Sequence, residues 1–197
     1  KPLIYYSIEA AIKADVFDEI YLNSDSKIFE EIASNHGIKF YNRPEILGSD
    51  TTNNDQFATD FIKNIEGDIL IQLLPTSPFI ESSEIKSFVD HMKKNKLETL
   101  ISVVDHKIAS IYNDYPVNFK LLEPHIPSQK MVPLKTYATV LMGWTYDSFL
   151  RNMNNLGFAY HGGNSKIGYY SLKGLSEIDI DNEWDFQLAE ATLSYFL

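Results

Sequence analysis

The sequence predicts an α/β fold, a mixed, mostly parallel sheet flanked by helices. Three observations predict it. Asp68–Ile80 (DILIQLLPTSPFI) opens as an apolar run broken only by Gln72, and Thr99–Val104 (TLISVV) shows no polar face. Neither stretch alternates, so both read as strands covered on two sides, the first as the central one. Segments with helical spacing alternate with strand-like segments through the first half of the chain, the order that lays helices on both faces of a parallel sheet.

Taken in order, Lys1 to Leu3 lead into IYYSIEAAIKADVFD, where Ile4, Ile8, Ala11 and Ile12 recur at helical spacing and read as an amphipathic helix. Phe17–Asn23 alternates and reads as a strand; Asn23-Ser24-Asp25-Ser26 is a turn with helix-start chemistry. Lys27–Asn35 is the next helix, with Gly37 as its stop, and Ile38–Tyr41 a short strand. Arg43–Asn54 (RPEILGSDTTNN) is polar and rich in turn formers, hence a loop. Asp55–Glu66 is a helix. Pro75 and Pro78 cannot donate to a ladder, so pairing of the apolar run ends there. That leaves Thr76 and Ser77 just past the strand's carboxyl end, where open α/β sheets bind ligands; the same pattern also fits a buried strand followed by a capping turn. A helix from Ser82 or Ser83 to about Lys94 precedes the Thr99–Val104 strand.

The alternation breaks at Asp105. Residues 105–136 hold four prolines and no clear period, so we expect an excursion from the sheet, with a small hairpin around Asn118–Leu122. Tyr137–Trp144 then reads as a strand, Tyr146–Asn152 as a helix, Gly157–Asn164 as a loop, Ile167–Leu172 and Glu177–Ile180 as strands, and Asn182–Phe196 as a closing helix. His161-Gly162-Gly163-Asn164 lacks the Lys-Ser/Thr ending and the helix of a phosphate loop, so it reads as a plain turn.

At 197 residues the chain fits one domain (1–197), long enough for a sizeable core. A formal charge of −10 with only two arginines argues against nucleic acid as a partner. It also disfavours polyanionic ligands unless metal ions intervene. With no cysteine there is no disulfide, thiolate metal site or Cys nucleophile. No apolar run approaches the ~20 residues of a membrane helix. Neither a signal peptide nor a tail is visible, so the expectation is a cytoplasmic protein without a membrane partner.

The sharpest chemical signal is IDIDNEWD, residues 178–185. On a strand, Asp179 and Asp181 project to one face. Two adjacent carboxylates repel unless a cation lies between them. Mg²⁺ takes one or two carboxylates and fills its other positions with water and phosphate oxygens. The alternative is that Asp181 or Asn182 caps the last helix while Asp185 sits in its first turn.

Four stretches, in this order, resemble the acylneuraminate cytidylyltransferase family, which makes CMP-activated sugar acids. KPLIYYSIEAA with FDEIYLNSDS resembles that family's helix, strand and S/T-D-S turn. Arg43-Pro44, Leu47 and Asp50-Thr51 resemble its R-P-x-x-L-x-x-D-T loop, PTSP its Q-P-T-S-P loop, and IDIDNEWDF its I-D-I-D-T-x-x-D-F close. The resemblance implies a nucleotide-diphospho-sugar transferase type of sheet and a homodimer in which the segment after Val103–Val104 reaches toward the partner. It implies transfer of CMP from CTP to a 2-keto-3-deoxy sugar acid, with release of pyrophosphate. By the same resemblance Arg43, Asp50, Thr52 and Asn54 would bind the nucleotide, Gln72, Thr76 and Ser77 the sugar, and Asp179 and Asp181 the Mg²⁺. No general base identifies itself.

The sequence departs from the family in three places. The family opens with a strand and a P-A-R-G-G-S-K-G-I-P-x-K-N loop, whereas only Lys1-Pro2 corresponds here. The expectation is a fragment or a divergent relative whose sheet lacks a central member and exposes apolar edges. Leu74 takes the place of the Gln before P-T-S-P, with Gln72 two positions earlier on the same face. Thr139-Val140 stands where the family has Asn-Gly. A non-catalytic dimeric relative that binds a sugar or nucleotide, or another sugar-nucleotide transferase, are the alternatives these departures leave open.

Overall fold

The strands described pair into one four-stranded sheet and two two-stranded ones. The computed structural model describes residues 1–196. Helix α1 (Leu3–Ala14) leads to β1 (Tyr21–Ser24), α2 (Ile28–Asn35) and β2 (Lys39–Asn42). These are followed by α3 (Asn54–Asn64), β3 (Ile69–Leu73), α4 (Ser82–Asn95) and β4 (Thr99–His106). Next come the short β5 (Ile111–Tyr112) and β6 (Tyr115–Pro116), the long β7 (Leu134–Thr145) and α5 (Tyr146–Leu156). β8 (Ile167–Ser171) and α6 (Glu183–Phe196) close the chain.

β1 and β2 form a parallel pair, and the main sheet has the order β3-β7-β4-β8. β7 runs antiparallel to both β3 and β4, while β4 and β8 are parallel, so three strands share one direction and β7 opposes them. This is the mixed, mostly parallel α/β architecture expected.

Side-chain alternation sorts the core into two faces. Leu100 and Val104 of β4 join Ile85, Phe88 and Met92 of α4 and the end of α1, while Ile101 and Val103 meet α3 and α5 around Trp144 and Phe149. Gly143 of β7 allows α4 to lie close: a Cβ there would sit 2.9 Å from both Ile71 Cδ1 and Met92 Sδ. A third cluster, Ile8, Leu22 and Ala33, holds β1 between α1 and α2.

The main correction concerns β3. It is an edge strand of the larger sheet, half-buried along its length, and its one partner, β7, is antiparallel. Leu74 N–H donates to Val140 O and Tyr146 N–H to Asp68 O. In an antiparallel ladder this alternation turns the backbone groups of Ile69, Ile71 and Leu73 away from β7. On β1, Lys39 N–H donates to Ile20 O and Arg43 N–H to Ser24 O, so Tyr21 and Asn23 turn away from β2. A cleft of ≈ 580 Å³ lies between the two strands, lined by Ile4, Ile8, Tyr21, Asn23, Phe57 and Ile69–Pro75 among others. The expected exposed edges are therefore present, one on each wall.

Two shorter elements also differ from expectation. The hairpin of the excursion is β5–β6, ahead of Asn118–Leu122; the Asn118 side chain accepts from Ser110 N–H and donates to Ile108 O, closing its base. Glu177–Ile180 is not a strand: Gly174–Glu177 is a 3₁₀ turn and Ile178–Ile180 is irregular, with Ile180 N–H bonded to Thr76 O. That bond fastens the segment to a loop rather than to a sheet edge.

Amide exchange tests the open edges. Leu100, Ile101 and Val103 in β4, paired on both sides, are expected to exchange slowly, and Tyr21, Asn23, Ile69, Ile71 and Leu73 quickly. Equal protection of the two sets would contradict unpaired edges.

Candidate functional site

The cleft between β1 and β3 gathers polar groups that the fold leaves without partners. Asn23 Oδ1, Arg43 Nε and Gln72 Oε1 are buried and unbonded, and all three residues line the cleft. Leaving such groups unpaired costs about 1–3 kcal/mol each, so their concentration in one cleft marks a place where something binds.

Arg43 follows β2, where its N–H is held by Ser24 O. Its Nη2 donates to Asp25 Oδ1 at 2.9 Å, and its guanidinium lies 5.2 Å from the Phe57 ring centroid. Two fixed contacts orient it, leaving Nε free to donate. The Arg43 guanidinium holds the Asp25 carboxyl below its ordinary range. Gly48 makes room for this carboxylate, since a Cβ there would fall 2.3 Å from Asp25 Oδ2.

Asn53 caps α3 through a capping box with Gln56, and this places Asn54 in the helix's first turn. Asn54 Oδ1 accepts from Gln72 Nε2 at 3.4 Å. β3 alternation puts Gln72 with Leu70 on the α3 side, while Ile69, Ile71 and Leu73 face the α4 core. The next α3 residue, Asp55, accepts from Ala159 and Tyr160 N–H, each at 2.7 Å. This brings up an aromatic group in which His161 lies 5.1 Å from the Tyr160 ring and 5.5 Å from that of Tyr137. Burial raises the Tyr160 phenol, keeping it a neutral donor.

The structure thus brings together Arg43, Asn54 and Gln72. It does not bring in Asp50, which is exposed, or leave Thr52 free: Thr52 Oγ1 donates to Ile46 O at 3.0 Å and shapes the loop. Thr76 and Ser77 lie in the turn after β3. Ser77 is buried with its hydroxyl unpartnered, and Thr76 O holds Ile180.

Asp179 and Asp181 meet different fates. Asp179 is half-buried, its Oδ2 lies 3.4 Å from Thr139 Oγ1, and its Oδ1 is buried and unpartnered. Asp181 is exposed, and its N–H and that of Asn182 both donate to Asp185 Oδ2. Asn182 Oδ1 accepts from Trp184 and Asp185 N–H, so Asn182 and Asp185 form the capping arrangement weighed as the alternative. Among the described residues no group of three or more His, Cys, Asp or Glu side chains converges on a metal position.

The His161–Asn164 turn is structural. Asn152 spans it, donating to Gly162 O at 2.8 Å and accepting from Asn164 N–H at 3.2 Å. Sequence reading missed Asn23, Phe57 and Thr139. Asn23 carried a signal, an Asn ending an apolar strand. Thr139 carried one only as a departure from a resembled pattern, and its backbone is left-handed, φ 56°. For a β-branched residue that conformation costs about 1–2 kcal/mol.

Comparison with known proteins follows the same line. The chain matches the cytidylyltransferase family over residues 1–121, more than half its length. This chain belongs to the cytidylyltransferase family. It is 29% identical to the N-acylneuraminate cytidylyltransferase of Escherichia coli O18:K1:H7 over 96% of this chain and 45% of that protein. It is 26% identical to a pseudaminic acid cytidylyltransferase of Campylobacter jejuni over 70% of this chain and 63% of that one. The chain therefore spans less than half the length of the Escherichia relative. The fold superposes on a CMP:2-keto-3-deoxy-manno-octonic acid synthetase complexed with CTP, with a TM-score of 0.69 and 14% identity over 100% of this chain and 89% of that one. It superposes equally, TM-score 0.69 at 14% identity, on the 4-diphosphocytidyl-2C-methyl-D-erythritol synthase of Anaerococcus prevotii, over 98% and 86% of the two chains. No described helix is long and apolar enough to cross a membrane.

The Arg43–Asp25 pair sets an acid-side signature. Because Asp25 is lowered from 3.8, its contribution is fully present above that pH and disappears as pH falls through the lowered value. Asp25→Asn is expected to remove this loss from acid-titration melting curves while leaving neutral-pH spectra unchanged. An unchanged acid limb would show that the pair contributes nothing.

Proposed function

We propose that the protein transfers CMP from CTP to a 2-keto-3-deoxy sugar acid of the acylneuraminate type, releasing pyrophosphate. The observation that carries the reading is the set of unpartnered buried groups at the carboxyl ends of β1 and β3, in a chain belonging to the cytidylyltransferase family. Ligands of open α/β sheets collect at such ends.

In this reading the base lies against Phe57, with Arg43 Nε and Asn23 Oδ1 supplying one donor and one acceptor to its edge. Thr52 and Asp50 shape and flank the loop around it, and Asn54 orients Gln72 toward the sugar. Thr76 and Ser77 stand beyond Pro75 on the sugar side. The sugar hydroxyl attacks the α-phosphorus in line with departing pyrophosphate, so the protein's part is alignment and exclusion of water.

The cleft lining includes the acids Asp18, Glu19, Glu66 and Asp68 against the cations Arg43 and Lys93, so charge compensation for a triphosphate must come from elsewhere. Mg²⁺ fits that need. The unpartnered Oδ1 of Asp179 is a free hard-oxygen ligand, and the exposed Asp181 follows two residues later. The ion's contribution when bound is neutralisation of the phosphate oxygens. The cytoplasm, where CTP is made, is the compartment this activity fits.

We also propose a homodimer through the excursion. Its apolar residues are turned outward: Leu122 is 100% exposed, Leu121 77% and Tyr115 76%. A run of large exposed apolar groups on an arm suits burial against a second copy.

Two experiments check these readings. Pyrophosphate release is expected from CTP, Mg²⁺ and a panel of nine-carbon sugar acids, with Arg43→Met raising the KM for CTP by about tenfold. No release and no CTP binding by calorimetry would refute the assignment. In sedimentation velocity the chain is expected at twice its monomer mass, and Leu121→Asp with Leu122→Asp at monomer mass. A wild-type monomer at micromolar concentration would refute the dimer.

A further inference from the structure

We propose that Thr139 is a positioning residue for Asp179: a left-handed kink in β7 carries its hydroxyl to the carboxylate and fixes which Asp179 oxygen faces the reacting groups. The inference rests on the nucleotidyl-transfer reading above and adds a residue to it.

The kink comes from the sheet. Met142 pairs with Ile101 and Tyr137 with Val103, so Ala138–Leu141 stand opposite Ser102 alone. A bulge of this kind re-aims side chains. It is held from both sides: Leu141 N–H donates to Ser102 Oγ at 3.0 Å on the β4 side, and Leu74 N–H to Val140 O at 3.0 Å on the β3 side. Ala138, Val140 and Leu141 are buried, which leaves Thr139 as the half-buried residue turned out of the core. Gly or Asn holds a left-handed backbone at lower cost than Thr. What Thr adds is a hydroxyl on a stiff side chain.

That hydroxyl has one proton and two acceptors, Ala138 O at 2.8 Å and Asp179 Oδ2 at 3.4 Å. The nearer acceptor, Ala138 O, sets the rotamer of the hydroxyl, and the longer contact marks Oδ2 as the oxygen turned toward β7, leaving Oδ1, buried and unpartnered, as the available one. The other side of the segment is fixed by Ile180 N–H on Thr76 O at 2.9 Å. The segment that carries the carboxylate is therefore held between the β7 bulge and the turn after β3. A shift of a positioned group by an ångström is enough to cost large factors in rate.

The test uses Thr139→Ser, Thr139→Val and Thr139→Gly, with Asp179→Asn alone and combined with Thr139→Val. Val and Gly are expected to lower kcat by about tenfold or more through the misplaced carboxylate. The KM for CTP should stay within about twofold and Ser should restore kcat to within about threefold. Gly is also expected to raise the melting temperature while lowering kcat, a divergence that a purely structural role does not produce. A Val variant at wild-type kcat, or a Ser variant no better than Gly, overturns the proposal. The melting temperatures of Thr139→Val, Asp179→Asn and the double variant form a cycle independent of turnover. Non-additive shifts are expected, and additive shifts overturn the coupling even if the wild type turns over. A wild type inert toward CTP but with non-additive melting shifts counts against the reaction and leaves the Thr139–Asp179 contact standing.

Discussion

Backbone hydrogen bonding runs out on one side of β1 and one side of β3, and the remaining architecture follows from that. Each strand finds a single partner, β2 or β7, and turns alternate peptide groups toward the other across the cleft. Of the helices that cover the sheet, α1 and α3 span both halves: α1 through Ile8 against Leu22 and Ala14 in the α4 core, α3 through Phe61 against Tyr21 and Ala58 and Ile62 in the Trp144 cluster. The cleft is thus walled by peptide groups at its sides and by apolar side chains above and below. Asn23, Arg43 and Gln72 sit at its mouth by the carboxyl ends of the two strands, while Asp18, Glu19, Glu66 and Asp68 line it as well.

The grip on Arg43 shows how this mouth is organised. A lone guanidinium is mobile, but an ion pair to Asp25 and an aromatic face from Phe57 fix two of its surfaces. Each contact alone is worth little at a partly exposed position. Together they give the Nε–H a defined direction. Asn54 does the same for Gln72 with a single hydrogen bond. The groups are arranged before any ligand arrives, which lowers the ordering cost of binding.

Much of the fold could be read from residue patterns. The two apolar runs show themselves by their lack of alternation, the helix at Lys27–Asn35 and the closing helix by their helical spacing, and the prolines at 75 and 78 mark the end of β3. The edge position of β3 could not be read, because an apolar run looks the same whether or not a neighbour pairs with it; only the long-range register with β7 reveals it. Glu177–Ile180 alternates like a strand yet finds no ladder, since Ile180 N–H is taken by Thr76. Of the candidate site residues, Arg43 and Gln72 line the cleft, whereas Thr52 has a local hydrogen-bonding duty of the kind short polar side chains compete for. Thr139 could be noticed but not explained until its left-handed backbone and the bulge around it were visible.

The central claim is that the mouth of the β1–β3 cleft is where nucleotide binds. Titrating the ¹⁵N-labelled protein with CTP and Mg²⁺ and following backbone amide shifts addresses it most directly. The account predicts saturable shifts at Asn23, Arg43, Phe57 and Gln72, with Lys107–Val132 unmoved. Shifts absent from those four residues and centred on the excursion or on the outer face of α2 would contradict it.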